Sequence, residues 1–137
     1  MEGRTLKLIL PKGRIRDKVA VLMGRVGLSV RLDDRSYRPS CTDEGVEVKV
    51  LKPQNVPQLV ALGRHDCGFA GRDWVVEQGA DVVELLDLGF DPVRIVAAMP
   101  DELAASPDRF SRRLVVASEY RKLATDYIAS KKLDAVF

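Results

Sequence analysis

The fold of this chain is decided by its first apolar strand and the turn behind it, residues 6–14, which read LKLILPKGR. Residues 6–10 predict a buried strand, and a helix follows after Lys12-Gly13-Arg14. The apolar face of this helix is formed by Ile15, Val19, Leu22, Met23 and Val26. A glycine between a strand and a helix lets the backbone approach a ligand, and the first helical N–H groups face outward. Because Lys12 and Arg14 lie beside these N–H groups, the turn is predicted to bind an anion such as phosphate.

A second turn of the same kind lies in residues 67–73, which read CGFAGRD. Gly71 allows a tight exit from an apolar strand, Arg72 adds a cation, and Asp73 is the predicted N-cap of a helix that ends at Gly79. Turn and cap alone would explain these residues without any ligand. Two strand-to-helix turns in one parallel sheet, however, open onto the same edge, where ligands of open α/β sheets bind. The pair therefore predicts a ligand site.

Composition and charge narrow the class of protein. The 137 residues are 46% hydrophobic and 31% charged, as expected of one globular core, and the net charge of +2 argues against non-specific nucleic-acid binding. No apolar run approaches the roughly 20 residues of a membrane span, and no signal-peptide pattern opens the chain. We expect a cytoplasmic protein that binds neither nucleic acid nor membrane.

The two cysteines and the single histidine do not predict a reactive centre. Cys41 lies in a polar loop and Cys67 in an apolar strand, without a C-x-x-C pattern. His65 follows a predicted helix without the partners that a metal site or a serine triad needs. We therefore expect no protein-bound metal.

The order of elements predicts an α/β fold with a largely parallel sheet and flanking helices. Residues 46–50 alternate as a half-buried strand, residues 33–45 are a predicted loop, and residues 93–99 are apolar enough for a strand covered on both faces. Pro100 marks a change, so residues 1–100 are the predicted first lobe. Residues 101–137 are then a connector and the start of a second lobe, and the fresh strand at 134–137 indicates a truncated chain or one that needs a partner.

Several stretches of this sequence resemble the catalytic core of ATP phosphoribosyltransferase, the enzyme of the first step of histidine biosynthesis. They are residues 8–14, 55–57, 66–73, 77–82, 84–90 and 116–127. The resemblance implies a fold like that of type II periplasmic binding proteins, with two lobes around a cleft, of which the second is incomplete here. It also implies a reaction in which N1 of ATP displaces pyrophosphate from phosphoribosyl pyrophosphate, assisted by Mg²⁺.

The resemblance assigns roles to residues of both turns and beyond. Arg14 and Lys12 are the expected catalytic residues, since they would bind nucleotide or pyrophosphate oxygens. The expected substrate-binding residues are Lys12, Gly13, Arg14, Arg38, Gly71, Arg72, Asp73, Asp87 and Arg94. Three of them have a second interpretation. Asp87 contacts adenine or ribose, or is a turn carboxylate; Arg94 faces the cleft or supports a strand end; Arg38 reaches the site or is a solvated loop arginine.

The chain also departs from the family pattern. The arginine-rich approach to an Asp-Ile/Val-Pro motif is here residues 51–57, LKPQNVP, in which Asn55 replaces the acid and Lys52 an arginine. Arg72 stands where another polar residue is common, and the loop for phosphoribosyl pyrophosphate is expected after Phe137. We expect a core fragment with weak or no activity alone, acting as a homo-oligomer or partner subunit. The alternatives are a non-catalytic anion- or nucleotide-binding module, and a structural half completed by a separate chain.

Overall fold

The computed structural model describes residues 3–137, which form two compact units, one ending at Phe90 and one spanning Asp91–Phe137. The strands are β1 (Leu6–Pro11), β2 (Val30–Arg31), β3 (Ser40–Cys41), β4 (Val46–Leu51), β5 (Cys67–Gly68), β6 (Leu114–Val115) and β7 (Ala135–Val136). The helices are α1 (Arg14–Arg25), α2 (Asn55–Ala61), α3 (Arg72–Gln78), α4 (Asp101–Ala105) and α5 (Arg121–Lys131).

The first unit is built on a parallel sheet of three strands in the order β4-β1-β5. Leu6 pairs with Val46 and Pro11 with Leu51, so β1 and β4 match over their whole length. On the other side of β1, Ile9 pairs with Gly68. Each of the three strands leads into a helix, as a parallel sheet requires, and the predicted α/β fold with a mostly parallel sheet and flanking helices is confirmed.

Apolar side chains cover both faces of this sheet. On one face, Leu8 and Leu10 of β1 form a buried cluster with Val48 and Val50 of β4 and with Val19 and Met23 of α1. On the other face, Ile9 is fully buried, and the buried side chain of Val56 from α2 packs against Gly68. Residues 8–10 are therefore buried on both faces, which explains their continuous apolar character.

The predicted loop at residues 33–45 was wrong in one part, because it contains a strand. Cys41 pairs with Val30 in an antiparallel ladder between β3 and β2. The amide of Thr42 donates to the Ser29 carbonyl at 3.0 Å, which extends the pairing by one step. A strand of two residues is too short to leave a period in the sequence.

The second unit pairs β6 with β7 in parallel, and α5 connects them. Helix α4 begins directly after Pro100, within the predicted connector. The predicted lobe bounds, 1–100 and 101–137, stay a prediction, since compactness within each unit does not define the lobes of a whole protein. No helix in residues 3–137 has the length and apolarity that crossing a bilayer requires.

The predicted strand at residues 93–99 was wrong for this structure. The segment has no regular secondary structure, and its large apolar side chains Val93, Ile95 and Val96 are at least half exposed. Residues 82–88 form no ladder within the described chain either. A strand needs neighbours that pair its backbone and cover its faces, and residues 3–137 provide none for these two segments.

Candidate anion-binding site

The first glycine corner has the geometry that its sequence predicts. Gly13 is the N-cap of α1, with φ 95° and ψ −156°, a backbone conformation that glycine adopts without strain. Among residues 3–137 no side chain caps this helix end, and the Gly13 carbonyl accepts the amide of Arg16 at 3.1 Å. Lys12 is half-buried beside it and Arg14 is exposed. The positive end of a 12-residue helix thus lies between two cationic side chains.

The second corner lies at the same edge of the sheet. Ile9 and Gly68 are register partners in adjacent parallel strands, and the amide of Phe69 donates to the Ile9 carbonyl at 3.0 Å. Because both strands run the same way, the turns that follow them, at Gly13 and Gly71, both leave the carboxyl edge. The predicted common edge for the two corners is therefore confirmed.

The two corners differ in charge. Asp73 was predicted to cap α3, but the N-cap is Gly71, and Asp73 lies within the first helical turn. Its carboxylate folds back over the corner, so closely that a Cβ on Gly71 would overlap Asp73 Oδ1. Arg72 points elsewhere, since its Nε lies 3.6 Å from Glu84 Oε2. The second corner therefore presents a carboxylate, which suits hydrogen-bond donors better than an anion.

A third strand-to-helix turn, the one after β4, lies at the same edge. From the sequence, its residues were not predicted to bind a ligand. β4 ends at Leu51, whose carbonyl accepts the Lys12 amide at 2.7 Å, and Lys52 follows on the surface. Lys52 thus adds a cation to the turn next to the Lys12-Gly13-Arg14 corner. The signal that could have found it is the one used at the first corner, a cation directly after a predicted strand.

Tyr37 is the other residue that sequence reasoning missed. The Lys12 ammonium lies 4.0 Å from the centroid of the Tyr37 ring. Hydrogen bonding to Lys12, then the charges of Lys12 and Lys52, lower the pKa of the Tyr37 phenol below its usual value. The sequence signal that could have found Tyr37 is its place between Arg35 and Arg38 in a polar loop.

Three further predicted site residues, Arg38, Asp87 and Arg94, are described by their own contacts. Arg38 Nη1 lies 3.9 Å from Glu47, which is four residues before the end of β4 and so about 13 Å from the carboxyl edge. Asp87 Oδ1 accepts the Gly89 amide at 2.8 Å, which matches its interpretation as a turn carboxylate. Arg94 belongs to the second unit, and its side chain is exposed.

Two titratable groups lie at the opposite edge of the sheet, Asp66 and His65. Asp66 accepts the Lys7 amide at 2.8 Å and Arg4 Nη2 at 2.9 Å, and these contacts lower its pKa. His65 is buried, and neither ring nitrogen has a partner among residues 3–137. Burial, followed by the charge of Lys49, lowers the pKa of His65. In the described part of the chain, no three His, Cys, Asp or Glu side chains gather as a metal site would need.

Comparison with known proteins identifies the family. A family model described as ATP phosphoribosyltransferase matches residues 52–137. Curated relatives named ATP phosphoribosyltransferase include those of Chlorobium phaeovibrioides, 35% identical over 97% of this chain, and Thermodesulfovibrio yellowstonii, 34% identical over 98%. The match covers 47% and 48% of these relatives, so the chain spans about half their length.

A solved structure supports the fold. The ATP phosphoribosyl transferase (HisG:HisZ) complex from Thermotoga maritima aligns with a TM-score of 0.69 and 20% identity, over 96% of this chain and 62% of that one. At this identity, the likeness concerns the backbone alone. Together with the family match over most of the sequence, it leads to one conclusion: this chain belongs to the ATP phosphoribosyltransferase family.

Proposed function

We propose that this chain supplies the polyphosphate-binding edge of an ATP phosphoribosyltransferase. In the proposed reaction, N1 of the adenine of ATP attacks the anomeric carbon of phosphoribosyl pyrophosphate, and pyrophosphate leaves. The observation that carries the proposal is the first corner, where Lys12 and Arg14 flank the open end of α1. The curated relatives that match nearly the whole of this chain are named ATP phosphoribosyltransferase.

Such a displacement needs little covalent chemistry from the protein. It needs two polyanions held in line and positive charge where the leaving pyrophosphate develops its own charge. The exposed guanidinium of Arg14 can bind two phosphate oxygens at once, and the Lys12 ammonium adds a compact charge beside it. Arg14 and Lys12 are therefore the proposed catalytic residues.

The second corner has a different proposed role. The Asp73 carboxylate beside Gly71 is an acceptor for hydroxyl or amino groups, as a ribose or an adenine would offer. We assign Arg72, Asp87, Arg38 and Arg94 to the substrate site only as an expectation from the family resemblance. Asp87 already accepts the Gly89 amide, so a contact to substrate would use its other oxygen.

The complete reaction is proposed for a whole protein of the family, because this chain spans about half the length of its relatives. For that protein we propose two lobes around a cleft, as in type II periplasmic binding proteins, and a cytoplasmic location. We propose that Mg²⁺ arrives with the phosphates, since it commonly binds substrate phosphates with few protein ligands. The 137 residues alone should turn over slowly or not at all.

A second candidate is a non-catalytic subunit that binds nucleotides or simple anions. Two observations favour it. Residues 51–57 carry Lys52 and Asn55 in place of the arginine and acid of the family pattern. The aligned Thermotoga maritima structure is a complex of two kinds of subunit. Assembly as a homo-oligomer or with a partner subunit is proposed in either case.

Calorimetry with the 137-residue chain tests the proposal. Pyrophosphate and ATP should bind more tightly than orthophosphate, and Arg14→Gln should weaken pyrophosphate binding about 10- to 100-fold, because a charge-assisted hydrogen bond is lost. The matched control is Arg25→Gln, at the other end of α1, which removes the same charge and should change affinity by less than about two-fold.

Equal losses for the two variants would contradict a specific site at the first corner. A preference for orthophosphate and pyrophosphate over adenine nucleotides would favour the binding subunit instead. Rapid pyrophosphate release from ATP, phosphoribosyl pyrophosphate and Mg²⁺ by this chain alone would contradict the expected dependence on the rest of the family fold.

A further inference from the structure

One cation of the candidate site lies against an aromatic ring. The Lys12 ammonium is 4.0 Å from the centroid of the Tyr37 ring, and Tyr37 is 56% exposed. We propose that Tyr37 is a positioning residue, whose ring holds the Lys12 ammonium at the carboxyl edge of the first sheet, where an anionic ligand meets it. The inference rests on the proposed function, which gives Lys12 its anion.

The backbones of both residues are fixed on neighbouring residues of one strand. The amide of Lys12 donates to the Leu51 carbonyl at 2.7 Å, and the amide of Val50 donates to the Tyr37 carbonyl at 2.9 Å. Consecutive residues at the end of β4 therefore set the distance between the two main chains. The contact between the Lys12 ammonium and the Tyr37 ring is therefore supported by backbone hydrogen bonds on both sides.

The segment that carries Tyr37 is also held by local contacts. The amide of Arg35 donates to Asp33 Oδ1 at 2.9 Å, and the amide of Ser36 donates to the Asp33 carbonyl at 3.1 Å. Pro39 is buried two residues after Tyr37. The ring is thus presented from a turn with defined backbone bonds, although the side chain itself lies at the surface.

A ring has an advantage over a carboxylate as the partner of a ligand-binding lysine. A carboxylate would neutralise the ammonium and compete with an incoming anion, whereas the ring face leaves the charge in place and N–H donors available. A lysine also loses rotamer freedom when it binds an anion. A ring that restrains Lys12 beforehand removes part of this cost before the ligand arrives.

A phenol titration tests the contact without any ligand. The absorbance change on raising the pH, taken as wild type minus Tyr37→Phe, isolates Tyr37 from the other two tyrosines. Lys12→Met should raise the pKa of Tyr37 towards its usual value, because the interactions with Lys12 that lower it are lost. Lys131→Met, an exposed cation at the end of α5, should leave it unchanged. A Tyr37 pKa that does not respond to Lys12→Met would overturn the inference.

Pyrophosphate calorimetry then tests the positioning role. Tyr37→Leu should weaken binding about two- to five-fold, the range expected for an exposed cation–π contact, and Tyr37→Phe, which keeps the ring, should stay within about two-fold of wild type. In a Lys12→Met background, Tyr37→Leu should add no further loss. Unchanged or tighter binding by Tyr37→Leu would overturn the positioning role alone. A wild-type chain that binds no pyrophosphate would overturn the proposed function as well, whatever the titration gives.

Discussion

Ile9 and Gly68 face each other in adjacent parallel strands, and the side of Gly68 towards α2 has no room for another atom. A Cβ built on Gly68 would lie 2.7 Å from Val56 Cγ1 and 3.2 Å from Ile9 Cβ. The glycine therefore lets α2 pack closely on β1 and β5. This close packing fixes the ends of β1 and β5, from which the turns at Gly13 and Gly71 begin.

Gly68→Ala should lower the free energy of unfolding by about 1–3 kcal/mol, because the methyl group must displace buried neighbours. Fluorescence of Trp74, the single tryptophan, during urea unfolding measures this in the first unit. Gly24→Ala in α1 is the control, since its Cβ would meet nothing closer than 3.8 Å. That change should be neutral or stabilise by up to about 1 kcal/mol. A loss at Gly24 equal to that at Gly68 would speak against the packing argument.

Gly13→Ala should be costly for a different reason. A Cβ at Gly13 would meet nothing within 4 Å, so space is not the obstacle. Its φ of 95° and ψ of −156° lie in a region that is almost restricted to glycine, where another residue costs about 1–3 kcal/mol. We expect lower stability and weaker pyrophosphate binding together. Gly79→Asn, at a left-handed position that asparagine tolerates, should change unfolding by less than about 1 kcal/mol and leave binding intact.

His65 should make the chain less stable in mild acid. Its pKa is lowered in the folded state by burial and by Lys49, so the unfolded chain takes up a proton more readily. The stability is complete above the ordinary value of 6.5 and falls as the pH drops through 6.5 towards the folded pKa. Urea midpoints at a series of pH values should show this slope, and His65→Phe should remove it. A slope that survives in His65→Phe would assign it to other groups.

Asp66 should act in a separate and more acidic range. The Lys7 amide lowers the pKa of its carboxyl group, so its contribution is present above the usual 3.8 and lost as the pH falls below that value. Asp66→Asn should therefore reduce the acid sensitivity below 3.8 and keep the slope that His65 causes. Loss of both slopes in Asp66→Asn would mean that the two neighbours titrate as one unit.

Ile9 and Ile95 offer a paired test of the corrected strand. Ile9 is fully buried, and Ile9→Ala should cost about 2–5 kcal/mol. Ile95 is 50% exposed on a segment without regular structure, so Ile95→Ala should stay within about 0.5 kcal/mol. Circular dichroism during urea unfolding compares the two. A large loss at Ile95 would indicate that residues 93–99 are buried in solution, as their sequence predicts.

Local sequence patterns account for part of this fold. Local periodicity and turn chemistry predict the α/β class, the helix ends at Gly13 and Gly79 and the strand at residues 46–50. They do not predict strand β3 or its antiparallel pairing with β2, because a ladder of two residues leaves no pattern. The segment at 93–99 has the composition of a buried strand, yet burial depends on neighbours that composition does not provide.

For the site, the sequence by itself determined which residues could bind an anion, since charge and the freedom of glycine are properties of residue types. It also predicted that the corners at Gly13 and Gly71 share an edge, because adjacent parallel strands must point the same way. Only the tertiary structure decided that Asp73 folds over Gly71, that Arg38 turns to Glu47, and that Tyr37 meets Lys12. The contacts of Arg38 and Tyr37 join separate segments of the chain, and the packing of the strands between them sets those distances. The contact of Asp73 depends instead on where α3 begins.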